Sequence, residues 1–193
     1  MKMRLLASVL ALAGACTSPA DEPEPASQVA APVADGSAAP TPAPVPLSFP
    51  AQAEWIAEVP TSAMRKAQYR LPGDSGEATL VVYHFGLQAG SLEANLERWA
   101  GQFEQPDGGD SSARMTREER RVGELDVLLV DLAGTYVAET FPGSGERVRE
   151  EGWRMLTAVI HTPQGPYYAK LVGPTQTVAA HAERFDAFLA ELR

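Results

Sequence analysis

An α+β domain, an antiparallel β-sheet flanked by two main helices, is the fold class this sequence predicts. Five segments rich in β-branched and aromatic residues read as strands, two segments carry helical period, and the order is strands, helix, strands, helix. No βαβ alternation occurs, so the helices are expected to be segregated from an antiparallel sheet rather than interleaved with a parallel one. The chain has 193 residues, of which 45 % are apolar and 21 % charged, a composition that suits one folded core and excludes a wholly disordered chain.

Taken in order, Met64 to Leu71 alternates imperfectly and stops at the turn signal Pro72-Gly73-Asp74. Ala78 to Phe85 (ATLVVYHF) is a strong strand candidate, as is Leu125 to Leu132 (LDVLLVDL), with Gly134 allowing a bend into Thr135-Tyr136-Val137. Trp153 to His161 and Tyr167 to Val172 flank Thr162-Pro-Gln-Gly-Pro166, which predicts an antiparallel hairpin. A helix is expected over Ser91 to Glu104, where Leu92, Leu96, Trp99 and Phe103 recur on one face and Ser91 supplies the N-cap. A second is expected over Val178 to Leu192, with Pro174 just ahead of it and Val178, Ala182, Phe185, Leu189 and Leu192 on one face.

The amino-terminal segment predicts an address. Lys2 and Arg4 precede an apolar run, Leu5 to Ala13, that is short for a membrane span. The run closes on Ala13-Gly14-Ala15, followed by Cys16, the one cysteine of the chain. A signal peptidase needs small side chains before the scissile bond, and a lipoprotein peptidase needs a thiol just after it to carry diacylglycerol. The stretch Leu12-Ala13-Gly14-Ala15-Cys16 resembles the bacterial lipobox, with Ala13 where leucine is commonest. Residues 1–15 are therefore expected to be a lipoprotein signal peptide, cleaved between Ala15 and Cys16, with the membrane as partner through the lipid on Cys16. Thr17 is not the aspartate associated with inner-membrane retention, so the expected location is the outer membrane, facing the periplasm.

Nine of the chain's 16 prolines lie between Thr17 and Pro50, among alanine, serine and acidic residues. Such a segment buries too little apolar surface to offset its ordering entropy. Residues 16–46 are thus expected to form a disordered linker that lifts the domain off the lipid headgroups, and residues 47–193 a single globular domain. At about 3.1 Å per residue in extended form, some thirty residues reach on the order of 90 Å.

The net charge of -9 argues against a nucleic-acid partner, and the local basic run Arg114 to Arg121 is interrupted by Glu118 and Glu119. It reads as a solvated strand or loop, with contact to an anionic polymer or headgroup as the alternative. A lone cysteine cannot build a disulfide framework or a multi-cysteine metal site. His84, His161 and His181 show neither an i, i+4 pair nor HExxH, so no metal and no cofactor is expected. Serine chemistry lacks a GxSxG elbow or an SxxK pair. Gly143-Ser144-Gly145 and Gly108-Gly109-Asp110-Ser111 read as turns. Trp55, Trp153, Tyr167 and Tyr168 fit a core better than a ligand groove.

The first helix holds the candidate binding residues. Asn95, Arg98 and Gln102 form a polar stripe beside the apolar stripe that includes Trp99, while Glu93, Glu97 and Glu104 point away. Such a stripe either pins the helix to the sheet by side-chain bonds or receives a ligand, and both readings stand at this point.

Three stretches carry a resemblance: Trp55 to Arg65 (WIAEVPTSAMR), Asn95 to Phe103 (NLERWAGQF) and Gly165 to Pro174 (GPYYAKLVGP). Together they resemble a group of uncharacterised bacterial lipoproteins with an N-x-x-R-W-x-x-Q helix and a late K-L-x-G-P strand end. That group is similar in fold to PsbP, the photosystem accessory protein. The resemblance implies a PsbP-like α/β/α sandwich and a non-enzymatic accessory or binding module. It assigns no role to Asn95, Arg98, Trp99 and Gln102, and the oligomeric state and the identity of any envelope protein partner stay open. The alternatives are a carrier of a small apolar ligand held near Trp99 and an envelope hydrolase without a recognisable motif.

Overall fold

The structure is a computed structural model that describes residues 47–139 and 145–192, which belong to one compact unit. Ala15, Cys16, the linker to residue 46 and most of the Gly143-Ser144-Gly145 turn lie outside the described residues. The architecture is α+β, an eight-stranded antiparallel sheet with four α-helices.

The strands are β1 (Ile56–Ala57), β2 (Arg65–Leu71), β3 (Ala78–His84), β4 (Phe103–Glu104), β5 (Thr116–Val122), β6 (Leu125–Tyr136), β7 (Glu150–Ile160) and β8 (Tyr167–Pro174). The helices are α1 (Leu92–Ala100), α2 (Ser111–Arg114), α3 (Thr175–Ala180) and α4 (Ala182–Ala190). The sheet runs β1-β2-β3-β8-β7-β6, and the long β6 pairs with β5 along its first half and with β4 near its end. The carboxy-terminal hairpin β7–β8 forms as its turn residues predict, then inserts β8 beside β3.

The period-2 alternation of the strands supplies two apolar faces. One carries Leu80, Val82, Leu129, Ala158, Ile160, Ala169 and Leu171, and packs against Val178 of α3 and Phe185, Phe188 and Leu189 of α4. The other carries Val130, Leu132, Met155, Val159 and Tyr168, and packs against Leu96, Trp99 and Ala100 of α1. Burial of both faces explains why β6 and β7 read as near-continuous apolar runs.

The first helix is shorter than its periodicity suggests, and the second begins earlier, at Thr175, and is divided in two. Ser91 caps α1 as expected, its Oγ accepting from Ala94 N at 3.2 Å. The helix ends at Gly101, however, and Phe103 continues as β4 against Tyr136. Phe103 still joins the α1-side core, so its helical spacing coincides with burial that a strand delivers. Gln102 accordingly lies in the turn after α1 and not on the helical stripe. The carboxy-terminal helix is interrupted at His181, whose ring is held from two sides: Trp55 Nε1 donates to Nδ1 at 3.2 Å, and Nε2 lies 2.8 Å from Pro72 O. Since Nδ1 accepts, Nε2 carries the proton and donates to the carbonyl.

Glycine is sterically required twice in the Gly165 to Pro174 segment. Gly165 has a φ of +104°, and a Cβ there would meet Gly86 O at 2.1 Å. A Cβ on Gly173 would lie 2.5 Å from the Cβ of Ala78 on the neighbouring strand. Close approach of β8 to β3 is therefore written into the K-L-x-G-P motif.

Candidate functional site

Register across the sheet places Gln68, Val81, Lys170, Thr157 and Val130 in one row on the α1 side. Lys170 stands in the middle of that row, in a strand whose neighbours on both faces are apolar. Its Nζ donates to Gln102 Oε1 at 2.5 Å. Partly open to solvent by surface area, the ammonium is nonetheless ringed by protein atoms. This desolvation, with the nearby Arg98 charge adding to it, lowers the pKa of Lys170 to about 7.

Above Lys170 lies a cavity of about 280 Å³, walled by Tyr83, Phe85, Arg98, Trp99, Gln102 and Tyr168. It is continuous in lining with a wider groove of about 740 Å³ that adds Arg65, Tyr136 and Arg147. Tyr83 and Phe85 are stacked, with ring centroids 5.9 Å apart and 7° between planes. The ring of Trp99 meets Tyr168 edge-on at 5.6 Å, and Arg65 sits over Tyr83 at 5.6 Å from its centroid. Burial raises the pKa of the Tyr168 and Tyr136 phenols, so both are neutral at physiological pH.

The four candidate residues separate by role. Asn95 is buried, and the two hydrogens of its Nδ2 are shared among three acceptors, Ala89 O at 3.0 Å, Ser91 O at 2.9 Å and Tyr168 Oη at 3.3 Å. Its Oδ1 accepts from Arg98 Nη2 at 2.6 Å. Asn95 therefore pins α1 to β8 and positions Arg98. Arg98, Trp99 and Gln102 line the cavity together with Lys170. Sequence reasoning missed Lys170, Tyr83 and Phe85; the available signal was a single lysine inside an otherwise apolar strand buried on both faces.

The histidines do not meet. His84 stacks on Tyr167 at 4.0 Å, whereas His161 lines a separate groove with Arg120, Arg121 and Asp126. His181 serves the Trp55 tether. Among the described residues, no three His, Cys, Asp or Glu side chains are grouped to hold a metal ion. Arg114 of the basic run ends α2 and pairs with Asp107 at 2.6 Å, and residues from Thr116 onward form the exposed strand β5, whose arginines are engaged internally. Arg117 pairs with Glu93 of α1 at 3.1 Å, Arg120 with Asp186 of α4 at 2.8 Å, and Arg121 with Asp126 at 2.9 Å. The segment from Gly108 to Ser111, read as a turn, ends with Asp110 capping the short helix α2.

No protein-family model matches this chain, and no curated protein matches it.

Proposed function

We propose that this chain is a lipid-anchored lipoprotein of the bacterial envelope, expected at the outer membrane, whose folded domain is a non-enzymatic binding module of the PsbP-like type. Its binding site is the cavity between α1 and β8. The observation that carries this reading is the convergence of Arg98, Gln102 and Lys170 on one aromatic-walled space. Two of the segments that carry the lipoprotein resemblance, Asn95 to Phe103 and Gly165 to Pro174, supply those three residues. Helical layers on both faces of the sheet are compatible with a PsbP-like sandwich, and the lipobox-like stretch ending at Cys16 supports the anchor. The anchor confines the module to the membrane face, which raises its local concentration near whatever it serves.

Two experiments test this. Cys16→Ser should move the protein out of the membrane fraction, and retention there would overturn the anchor. The purified protein, exposed to a small-molecule extract of envelope material and then washed and denatured, should release compounds that Gln102→Trp, which fills the cavity mouth, does not retain. An identical set of compounds from both proteins would overturn the binding site.

A further inference from the structure

The distribution of ion pairs across the domain is uneven. Among the described residues, Arg70, Arg114, Arg117, Arg120, Arg121, Arg149, Arg154 and Arg184 each have a carboxylate within salt-bridge distance. Arg65, Arg98 and Arg147 do not, and all three line the groove above Lys170. Among the described residues Lys66 and Lys170 also have no carboxylate within that distance, and Lys66 lies in a separate groove. In a chain of net charge -9, four of these five cations thus gather around one opening, where Glu139, the bridge partner of Arg147, is the one carboxylate of the described lining. Converging cations in a partly desolvated space create a positive potential that favours an anion.

Donor geometry sharpens the inference. Lys170 Nζ has three N–H groups and one hydrogen bond among the described residues, to Gln102. Arg98 uses one guanidinium nitrogen on Asn95, leaving further N–H donors for a carboxylate. The walls beside these donors are aromatic, made by the parallel rings of Tyr83 and Phe85 and by Trp99 and Tyr168. A cavity of about 150 Å³ holds benzene, so about 280 Å³ accommodates a flat ring system bearing one carboxylate.

We propose that the cavity binds a small aromatic carboxylate, its anionic group held by Lys170 and Arg98 and its ring system against Tyr83 and Phe85. This rests on the binding-module reading above and names the ligand class for the same site.

The test is an NMR titration of the full chain carrying Cys16→Ser, at pH 6.5, with three probes: 2-naphthoate, the neutral 2-naphthalenemethanol, and inorganic phosphate. Naphthoate should shift the resonances of Arg98, Trp99 and Lys170 saturably and bind at least tenfold more tightly than the alcohol or phosphate. Lys170→Met and Arg98→Gln should each weaken naphthoate at least tenfold while the remaining spectrum stays native. Equal binding of naphthoate and the alcohol in the cavity would overturn the anionic ligand and leave the binding-module reading standing. Phosphate binding as well as naphthoate would overturn the aromatic part. If none of the three perturbs the cavity residues, the aromatic carboxylate is overturned as the ligand class, while the binding site itself stands or falls by the extract experiment.

Discussion

Replacing Lys170 by methionine is expected to stabilise the folded domain at neutral pH and to remove a specific pH dependence. In the unfolded chain this lysine titrates near its ordinary value of 10.5, and in the folded domain near 7. Between those values the unfolded state binds a proton that the folded state lacks, so stability rises with pH by up to about 1.4 kcal/mol per unit. The slope is half-developed at pH 7, where the folded ammonium is still half-protonated, and nearly full by pH 8. Raising the pH from 7 to 9 should therefore stabilise the wild-type domain by about 2 kcal/mol through Lys170. The penalty remaining at pH 7 is about 4 kcal/mol, from which the lost hydrogen bond to Gln102 subtracts about 1. Methionine keeps the length of the stem and carries no charge. Lys170→Met should thus gain about 3 kcal/mol at pH 7 and about 1 kcal/mol at pH 9. Urea unfolding of both proteins at the two pH values measures this directly, and their difference cancels every other titrating group. Equal gains at pH 7 and 9, or no gain at either, would mean that cavity water solvates the ammonium and that its desolvation is not as argued.

Other substitutions separate scaffold from site. Asn95→Ala removes the donor that Ala89 O and the Tyr168 hydroxyl share, while Ser91 O keeps the backbone N–H of residue 95, and should cost about 2 kcal/mol, whereas Arg98→Ala on the exposed side of α1 should cost under about 1 kcal/mol; equal costs in chemical denaturation would contradict the division of roles. His181→Ala leaves the Trp55 indole N–H and Pro72 O unpaired and opens a void, so a loss of about 3 kcal/mol is expected by tryptophan-monitored unfolding. Thr157, fully buried, has a hydroxyl with no hydrogen-bond partner among the described residues. Thr157→Val keeps the β-branched shape and should raise stability by about 1 kcal/mol; a comparable loss would reveal a partner for that hydroxyl.

Much of the fold was legible because its elements are local patterns. The apolar strands, the Ser91 cap and the β7–β8 turn each express a preference that a few residues decide among themselves. Where the reading went astray, a distant residue intervened. The helical period through Phe103 was overruled by pairing with Tyr136, whereas that of the carboxy-terminal segment persists across His181, with Val178, Phe185 and Leu189 in one core. The two-residue strands β1 and β4 exist only through their partners, Tyr69 and Arg70 for one, Thr135 and Tyr136 for the other. Four side chains gave no local sign that α2 forms a helix, although Asp110 was in place to cap it.

The candidate site divides along the same line. Composition, charge and the Cys16 context belong to the sequence alone, as does the placing of Asn95 and Arg98 on one helix, because each depends on neighbours within a few positions. Whether Asn95 pins or binds, and whether Arg98 and Gln102 face a ligand, depended on what lies opposite. Only the tertiary structure brings β8 beside β3 and beneath α1, which sets Lys170 under Gln102 and the Tyr83–Phe85 pair beside Arg98. The physical reason is that strand order and register are set by the simultaneous burial of both sheet faces. That condition is satisfied by the whole sheet at once and cannot be read from any one strand.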